Sequence, residues 1–418
     1  MFDAAALRSQ FPALHRLRDG RLPVFLDGPG GTQVPQRVID AMVHYLTACN
    51  ANHGGLFATS RESDAILEAA HQAMADLLNA PAPEEVVFGQ NMTTLTLHLS
   101  RSLARTWRPG DEVVVTRLDH DANVSPWVLA ARDAGAAVRW VDVRPEDCTL
   151  DLDDLRRQLG PRTRLVAVAA ASNAVGTVND AKAVGQLARS AGALLFVDAV
   201  HFAPHGPIDV QEWDCDFLVC SAYKFFGPHV GILWGRRRLL EELPAYKVRP
   251  APEAPPGRWM TGTQNHEGLA GVAAAVDYLA DVGTRFGSAD GLPAALSGRR
   301  RLLRAAMNAI REYERGLSRR LLEALAERPR FRVWGVTDRQ RLAERVPTIA
   351  LTAADRTAEQ LAAHLAGRHV YAWSGNMYAP GLTERLGLEK QGGLLRLGLV
   401  HYNTPEEIDR LVQALDEG

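Results

Sequence analysis

An aspartate and a lysine stand out because each follows a short apolar run. Asp198 closes Leu194-Leu195-Phe196-Val197, and Lys224 follows Phe217-Leu218-Val219-Cys220 within Ser221-Ala222-Tyr223-Lys224-Phe225-Phe226. A carboxylate at the end of a buried strand is costly unless a cation or a donor meets it. A structural ion pair meets that need as well as a functional one. A lysine among apolar and aromatic residues loses basicity on burial, and its free amine is then a Schiff-base nucleophile. A lysine that buries its stem and sends its amine to solvent is the plainer alternative. A third segment, Gln90-Asn91-Met92-Thr93-Thr94, opens an apolar helical run. Free N–H groups and hydroxyls there make an anion site, or an ordinary N-cap.

Joined, the three segments are specific. A lysine one strand beyond a strand-end carboxylate matches the chemistry of pyridoxal 5'-phosphate (PLP). The lysine forms the aldimine, the aspartate pairs with the pyridinium nitrogen to maintain the electron sink, and the helix start at Thr93 and Thr94 supplies a phosphate cup. One more cation, Arg396, lies in the otherwise apolar strand Leu394-Leu395-Arg396-Leu397-Gly398. It needs an anion there. The planar guanidinium fits the α-carboxylate of an amino acid, and a structural ion pair is the other possibility.

These residues need a sheet to position them. Apolar β-branched runs predict strands at residues 85–88, 112–116, 137–141, 165–168, 194–197, 217–220 and 231–234, with helical spacers such as 180–191 between several of them. Continuous apolar strands alternating with helices mean a mostly parallel sheet covered on both faces. Ligands bind beyond the carboxyl ends of such strands, where Asp198 and Lys224 fall. The expected order is an N-terminal segment over 1–20, a large α/β domain over 21–285, and a small α+β C-terminal domain over 286–418. A Pro-rich loop at 250–256 and a long helix at about 302–328 join the two.

Lys plus Arg number 47 and Asp plus Glu 49, for a net charge of −2, which argues against a nucleic-acid binder. Hydrophobic residues make up 46% and charged residues 23%, enough for a large core. With charge balanced, the run Arg299-Arg300-Arg301 reads as a solvated helix face. The four cysteines are Cys49, Cys148, Cys215 and Cys220. None lies at metal-binding spacing and they form no disulfide framework, so no metal is expected and a reducing, cytoplasmic setting is. No signal peptide and no membrane span are expected. Gly28-Pro29-Gly30-Gly31 lacks the dinucleotide spacing, which argues against a nicotinamide-dependent oxidoreductase.

Six motifs in order extend the pattern: Asn91-Met92-Thr93-Thr94; Asp119-His120-Asp121-Ala122-Asn123 with Pro126-Trp127; Ser172-Asn173-Ala174-Val175-Gly176-Thr177; Asp198-Ala199-Val200-His201; Ser221-Ala222-Tyr223-Lys224; and Arg396 with Tyr402-Asn403-Thr404. On these the chain resembles the class V aminotransferase family of fold-type I PLP enzymes, and most of all its cysteine desulfurase-like subgroup. The resemblance implies roles. Lys224 would form the aldimine and shuttle the Cα proton, Asp198 would hold the pyridinium proton, and His120 would stack on the ring. His201, where desulfurases usually carry Gln, would face the phenolic oxygen. Asn173 would contact that oxygen or the substrate carboxylate. Thr93, Thr94, Ser221 and Tyr223 would bind phosphate, with Tyr223 replacing the common His. Thr263, in Thr261-Gly262-Thr263-Gln264-Asn265, would reach the partner subunit's phosphate, which implies an obligate homodimer with shared sites.

The resemblance breaks at one step. A desulfurase uses a mobile cysteine thiolate on a small-domain loop to carry the persulfide. The matching stretch is Ala372-Trp373-Ser374-Gly375-Asn376-Met377-Tyr378, the cysteine position falls on Tyr378, and no cysteine follows Cys220. Trp373 replaces an arginine that helps hold substrate in the relatives. An aromatic wall at Trp373, Met377 and Tyr378 suits a bulkier or more apolar side chain than cysteine's, or packs the domain closure. The expected function is a PLP-dependent enzyme acting at Cα or Cβ of an amino acid through an aldimine and a quinonoid: a desulfurase-like lyase or transferase without the usual persulfide cysteine. An aminotransferase or epimerase of the same family is the alternative. A non-catalytic PLP-fold protein that binds a partner is the alternative of another class.

Overall fold

In the computed structural model, which describes residues 2–417, the expected runs become seven strands of one sheet. They are Val86–Gly89 (β1), Glu112–Thr116 (β2), Ala137–Val141 (β3), Thr163–Ala169 (β4), Leu194–Asp198 (β5), Phe217–Ser221 (β6) and Gly231–Gly235 (β7). Their order across the sheet is β1-β7-β6-β5-β4-β2-β3. The contacts from β6 to β3 are parallel, and β7 runs antiparallel to both of its neighbours. The central strands are buried from their second or third residue to their carboxyl ends, as apolar runs flanked by helices on both faces require. Two apolar layers result, one on each face of the sheet.

Glu85, expected in the first strand, instead ends a short 3-10 turn, Pro83–Glu85. Its buried carboxylate accepts the Trp234 indole N–H at 3.0 Å, a partner that lies far away in sequence.

The second sheet is antiparallel: Phe331–Trp334 (β8), Thr348–Ala353 (β9), Trp373–Gly375 (β10) and Leu394–Gly398 (β11), in the order β8-β9-β11-β10. The long helix spans Gly298–Ala326, four residues earlier at its start than expected, following the N-cap Ser297. The early start changes the reading of the arginine run. Arg299 and Arg300 are not a solvated face: both hold Asp76, at 2.8 and 3.0 Å, and Arg299 also holds Asp277 at 3.0 Å.

Residues near the N-terminus are tied into this frame. Leu7, Phe11 and Leu14 are buried in the main core. Arg8 reaches the Tyr402 carbonyl at 2.6 Å and Glu407 at 2.9 Å. Val24–Phe25 pairs in parallel with Val370–Tyr371, and Val24 and Leu26 pack in the core of the second sheet. No described helix is long and apolar enough to cross a membrane.

Candidate active site

The chemistry gathers at the carboxyl ends of β5 and β6. Asp198 is the last residue of β5, and the chain leaves β6 at Ser221 to enter the short turn Ala222–Lys224. Register places Asp198 beside Val219 of the neighbouring parallel strand, so the two strand ends open side by side. A cavity of about 450 Å³ lies above them, lined by both residues and by Thr93, His120, Asn173, His201, Tyr223, Trp373, Tyr378 and Arg396. Ten of the expected site residues thus come together from both sheets.

Their ionisation follows from burial. Burial lowers the Lys224 amine from 10.5 to about 7, helped by the Arg396 charge and opposed by Asp198. Asp198 is raised to about 6 by burial, against a hydrogen bond from the Val200 N–H at 2.9 Å and the charge of Lys224. The Lys224 ammonium donates to the Pro29 carbonyl. Arg396 falls to about 10 through burial and stays a cation at neutral pH.

His120 is neutral, because burial lowers it to about 4 with help from Lys224. Its Nδ1 accepts the Ala122 N–H at 3.0 Å, which puts the ring proton on Nε2 and caps the turn Asp121–Asn123. The alternative role as a turn cap is thus present, and the same imidazole lies parallel to the Tyr378 ring, with ring centroids 5.5 Å apart. His201 sits well below the usual histidine value through burial and the nearby His205, and its Nε2 is 2.9 Å from Thr348 Oγ1.

Tyr378 and Met377 belong to a tight loop, both with left-handed φ, of 55° and 57°. The large domain grips this loop twice. Asn173 Nδ2 donates to the Met377 carbonyl at 2.7 Å, and the Asp121 N–H donates to the Tyr378 carbonyl at 2.7 Å. Trp373 covers Gly30 so closely that a Cβ there would lie 2.2 Å from the indole nitrogen.

Thr94 and Thr263 lie apart from this cavity. Thr94 spends both its N–H and its hydroxyl on Asn91 Oδ1, at 2.8 and 2.9 Å, as the N-cap geometry of helix Met92–Ala104 demands. Both residues line a neighbouring cavity of about 590 Å³. Ser221 is buried, with its hydroxyl free of any partner.

Three further contributors received no role from the sequence, although Asp119 opens one of the six motifs. Asp27 is half-buried near Arg396, with its buried Oδ1 unpaired and its carboxyl raised to about 6 by desolvation. Asp119 accepts from Thr116 and from Asn123 Nδ2, and anchors the loop that carries His120. Thr348 meets His201 from β9. Asp27 stands at the end of the apolar run Val24-Phe25-Leu26, a signal of the same kind as that of Asp198. Thr348 lies too far along the chain to be linked to His201 by sequence.

Asn173 Oδ1 and Arg396 Nε, of two residues that line the cavity, are buried without partners, as is Ser221 Oγ at the end of β6, an arrangement that a polar ligand would complete. Gly231 lets β7 press against the start of helix Met92–Ala104: a Cβ there would lie 2.3 Å from the Asn91 carbonyl carbon. The residues present fit the cofactor. Among the described residues no cluster of His, Cys, Asp or Glu could hold a metal ion.

Sheet order, cavity and donor set together define a fold-type I PLP enzyme. The class-V aminotransferase family model matches residues 24–411, and the chain belongs to that family, whose members are PLP-dependent. Similar proteins include a cysteine desulfurase of Serratia proteamaculans, 30% identical with 99% of this chain and 98% of that protein covered. An aminotransferase-like protein, FGM3, of Gibberella zeae is 32% identical, with 99% and 98% covered. Among solved structures, the cysteine desulfurase CsdA of Escherichia coli, in its S-sulfonic acid form, superposes with a TM-score of 0.83 at 29% identity, covering 100% of this chain and 98% of that one. A cysteine desulfurase from Thermococcus onnurineus has the same fold, with a TM-score of 0.86 at 23% identity over 99% and 97% of the two chains.

Proposed function

We propose that the chain binds PLP through Lys224 and acts at Cα or Cβ of an α-amino acid, as a desulfurase-like lyase or transferase that does not carry sulfur on a loop cysteine of its own. The observation that supports this most is the joint placement of Lys224, Asp198 and Arg396 in one cavity. When bound, PLP supplies an electron sink for charge that develops at the substrate Cα.

The chain's own residues would do the rest. Arg396 pairs with the substrate α-carboxylate and so orients Cα. The Lys224 amine, deprotonated near neutral pH, takes the proton from Cα and returns it. Asp198, buried beside Lys224, keeps a proton on the ring nitrogen. His120, neutral and held between its cap and Tyr378, gives the ring a flat face. His201 meets the phenolic oxygen, and Thr93, Ser221 and Tyr223 serve the phosphate. Thr263 completes the cup of a partner subunit, which makes the working form a homodimer. Four free, buried cysteines suit a reducing, cytoplasmic setting.

An aminotransferase or epimerase outcome is the second reading. The residue at the persulfide position is Tyr378, and a phenol carries no sulfur. The test is to purify the protein with PLP, reduce it with borohydride, and map the modified residue by peptide mass. Single amino acids are then added and the products identified. The expected result is a yellow protein modified at Lys224, with one amino acid turned over. A protein that stays colourless alongside Lys224→Ala overturns the reading. Persulfide on the protein's own cysteines overturns the sulfur part alone.

A further inference from the structure

A third, smaller cavity of about 100 Å³ is bounded by His205 from the loop after β5, by Arg311, Glu314 and Arg315 of the long helix, and by Arg345 just before β9. Three arginines line it, with few counter-ions. Arg345 is buried and spends its Nη atoms on backbone carbonyls only, those of Val336, Val175 and Thr348. Arg311 has Asn308 as its polar partner, and burial together with the charges of Arg315 and Arg304 lowers its pKa. Arg315 meets the exposed Glu312 at 3.5 Å.

Buried polar atoms around the cavity are left over. Arg345 Nε, Arg315 Nε and Glu314 Oε1 have no partner, and Glu314 is 1% and Arg345 5% exposed. The other Glu314 oxygen is taken by His205 Nδ1 at 2.9 Å. A buried guanidinium without an acid is costly, and an anion that accepts from several at once relieves the cost.

We propose that this cavity is a binding site for a small inorganic oxyanion, sulfate or phosphate, held by Arg311, Arg315 and Arg345. The volume is sufficient for a tetrahedral oxyanion in place of a few waters. The Glu314 carboxyl also lines the cavity; burial raises it above the usual carboxylate range, against the His205 imidazole that holds its Oε2. The site also touches the active-site wall. Arg345 Nη2 donates to the Thr348 carbonyl at 2.5 Å, and the Thr348 hydroxyl meets His201.

The test is calorimetric titration of sulfate, and separately of phosphate, into the PLP-loaded protein at fixed ionic strength in chloride. The bound cofactor keeps the anion out of the phosphate cup, and its visible band is followed throughout. Wild type and Arg396→Ala should each bind one anion per chain with the same affinity. The variant Arg311→Ala/Arg315→Ala should bind about tenfold more weakly or not at all. The milder pair Arg311→Gln/Arg315→Gln, with an unchanged cofactor band and thermal midpoint, separates lost binding from lost folding. Three outcomes overturn the proposal: no binding to wild type, which leaves a water-filled cavity; equal binding to the Arg311/Arg315 variants; or binding lost in Arg396→Ala or coupled to bleaching of the band, which places the anion in the first cavity.

Discussion

His120, after β2 of the large sheet, and Tyr378, between β10 and β11 of the second, stack with ring centroids 5.5 Å apart and planes 12° from parallel. Aromatic pairs of this kind contribute about 0.5–1.5 kcal/mol beyond the area they bury. Tyr378 is 74% exposed, so the ring stands at the mouth of the cavity, held by its backbone and by His120. Tyr378→Phe keeps the stack, and Tyr378→Ala removes it. Amino-acid affinity, read from spectral titration of the PLP-loaded protein, should fall up to about tenfold in the Ala variant and stay within about twofold in the Phe variant. Equal losses in both would show that the phenol oxygen, and not the stack, matters.

Lys224 gives a pH signature. Its ammonium is lowered to about 7 by burial and by Arg396, and the nucleophile is the neutral amine. The rate of PLP uptake by the unloaded protein should rise as pH increases through about 7 and then level off. Removing the Arg396 cation favours the ammonium, so Arg396→Ala should move the rise to higher pH. An uptake rate that follows an ordinary lysine, near 10.5, would contradict the burial seen here.

Arg396 should also set affinity for the α-carboxylate. Loss of a charge-assisted hydrogen-bond pair is worth about 1.5–3 kcal/mol, or roughly ten- to a hundredfold. Arg396→Lys keeps the charge and loses the planar fork, so it should recover only part of that. Binding of an amino acid should fall in this order, wild type first and Arg396→Ala last, and binding of the corresponding amine without a carboxylate should not change. A parallel drop for the amine would mean that the cavity itself had collapsed.

The four cysteines should be unreactive in the native protein. All are buried, Cys148, Cys215 and Cys220 fully, and burial raises Cys148 to about 11 and the latter two further still. A thiol reagent should label none of them quickly, and all four after denaturation. Rapid modification of one in the folded protein would reveal a thiolate that this packing forbids.

Gly231 supports the cofactor cup by being small. A Cβ there meets backbone, not a movable side chain, so Gly231→Ala should displace Asn91 and the start of the helix behind it. A loss of about 1–3 kcal/mol is expected for such overpacking. Thermal melts and PLP affinity should both fall. A normal melt with normal affinity would show that β7 shifts without consequence.

The large sheet was legible because its strands are apolar on both faces, and Asp198 and Lys224 were legible because a charge is conspicuous at the end of such a run. What pairs across domains was not. Thr348 under His201 and the cation cluster of Arg311, Arg315 and Arg345 depend on the packing of the long helix against loops distant in sequence. Thr94 shows the opposite failure: the local motif was right, but the N-cap used up the groups that the motif offered. The arginines at 299 and 300 looked solvated because Asp76, their partner, lies in another helix.

Val24–Phe25 finds its strand partner only at Val370–Tyr371. During synthesis that edge waits for most of the chain to leave the ribosome. The smaller lobe therefore closes after translation, while the seven-stranded sheet, complete by Gly235, can form earlier. A chain stalled before residue 370 would expose the unpaired edge and the apolar side chains of Val24 and Leu26, and would be a substrate for chaperones.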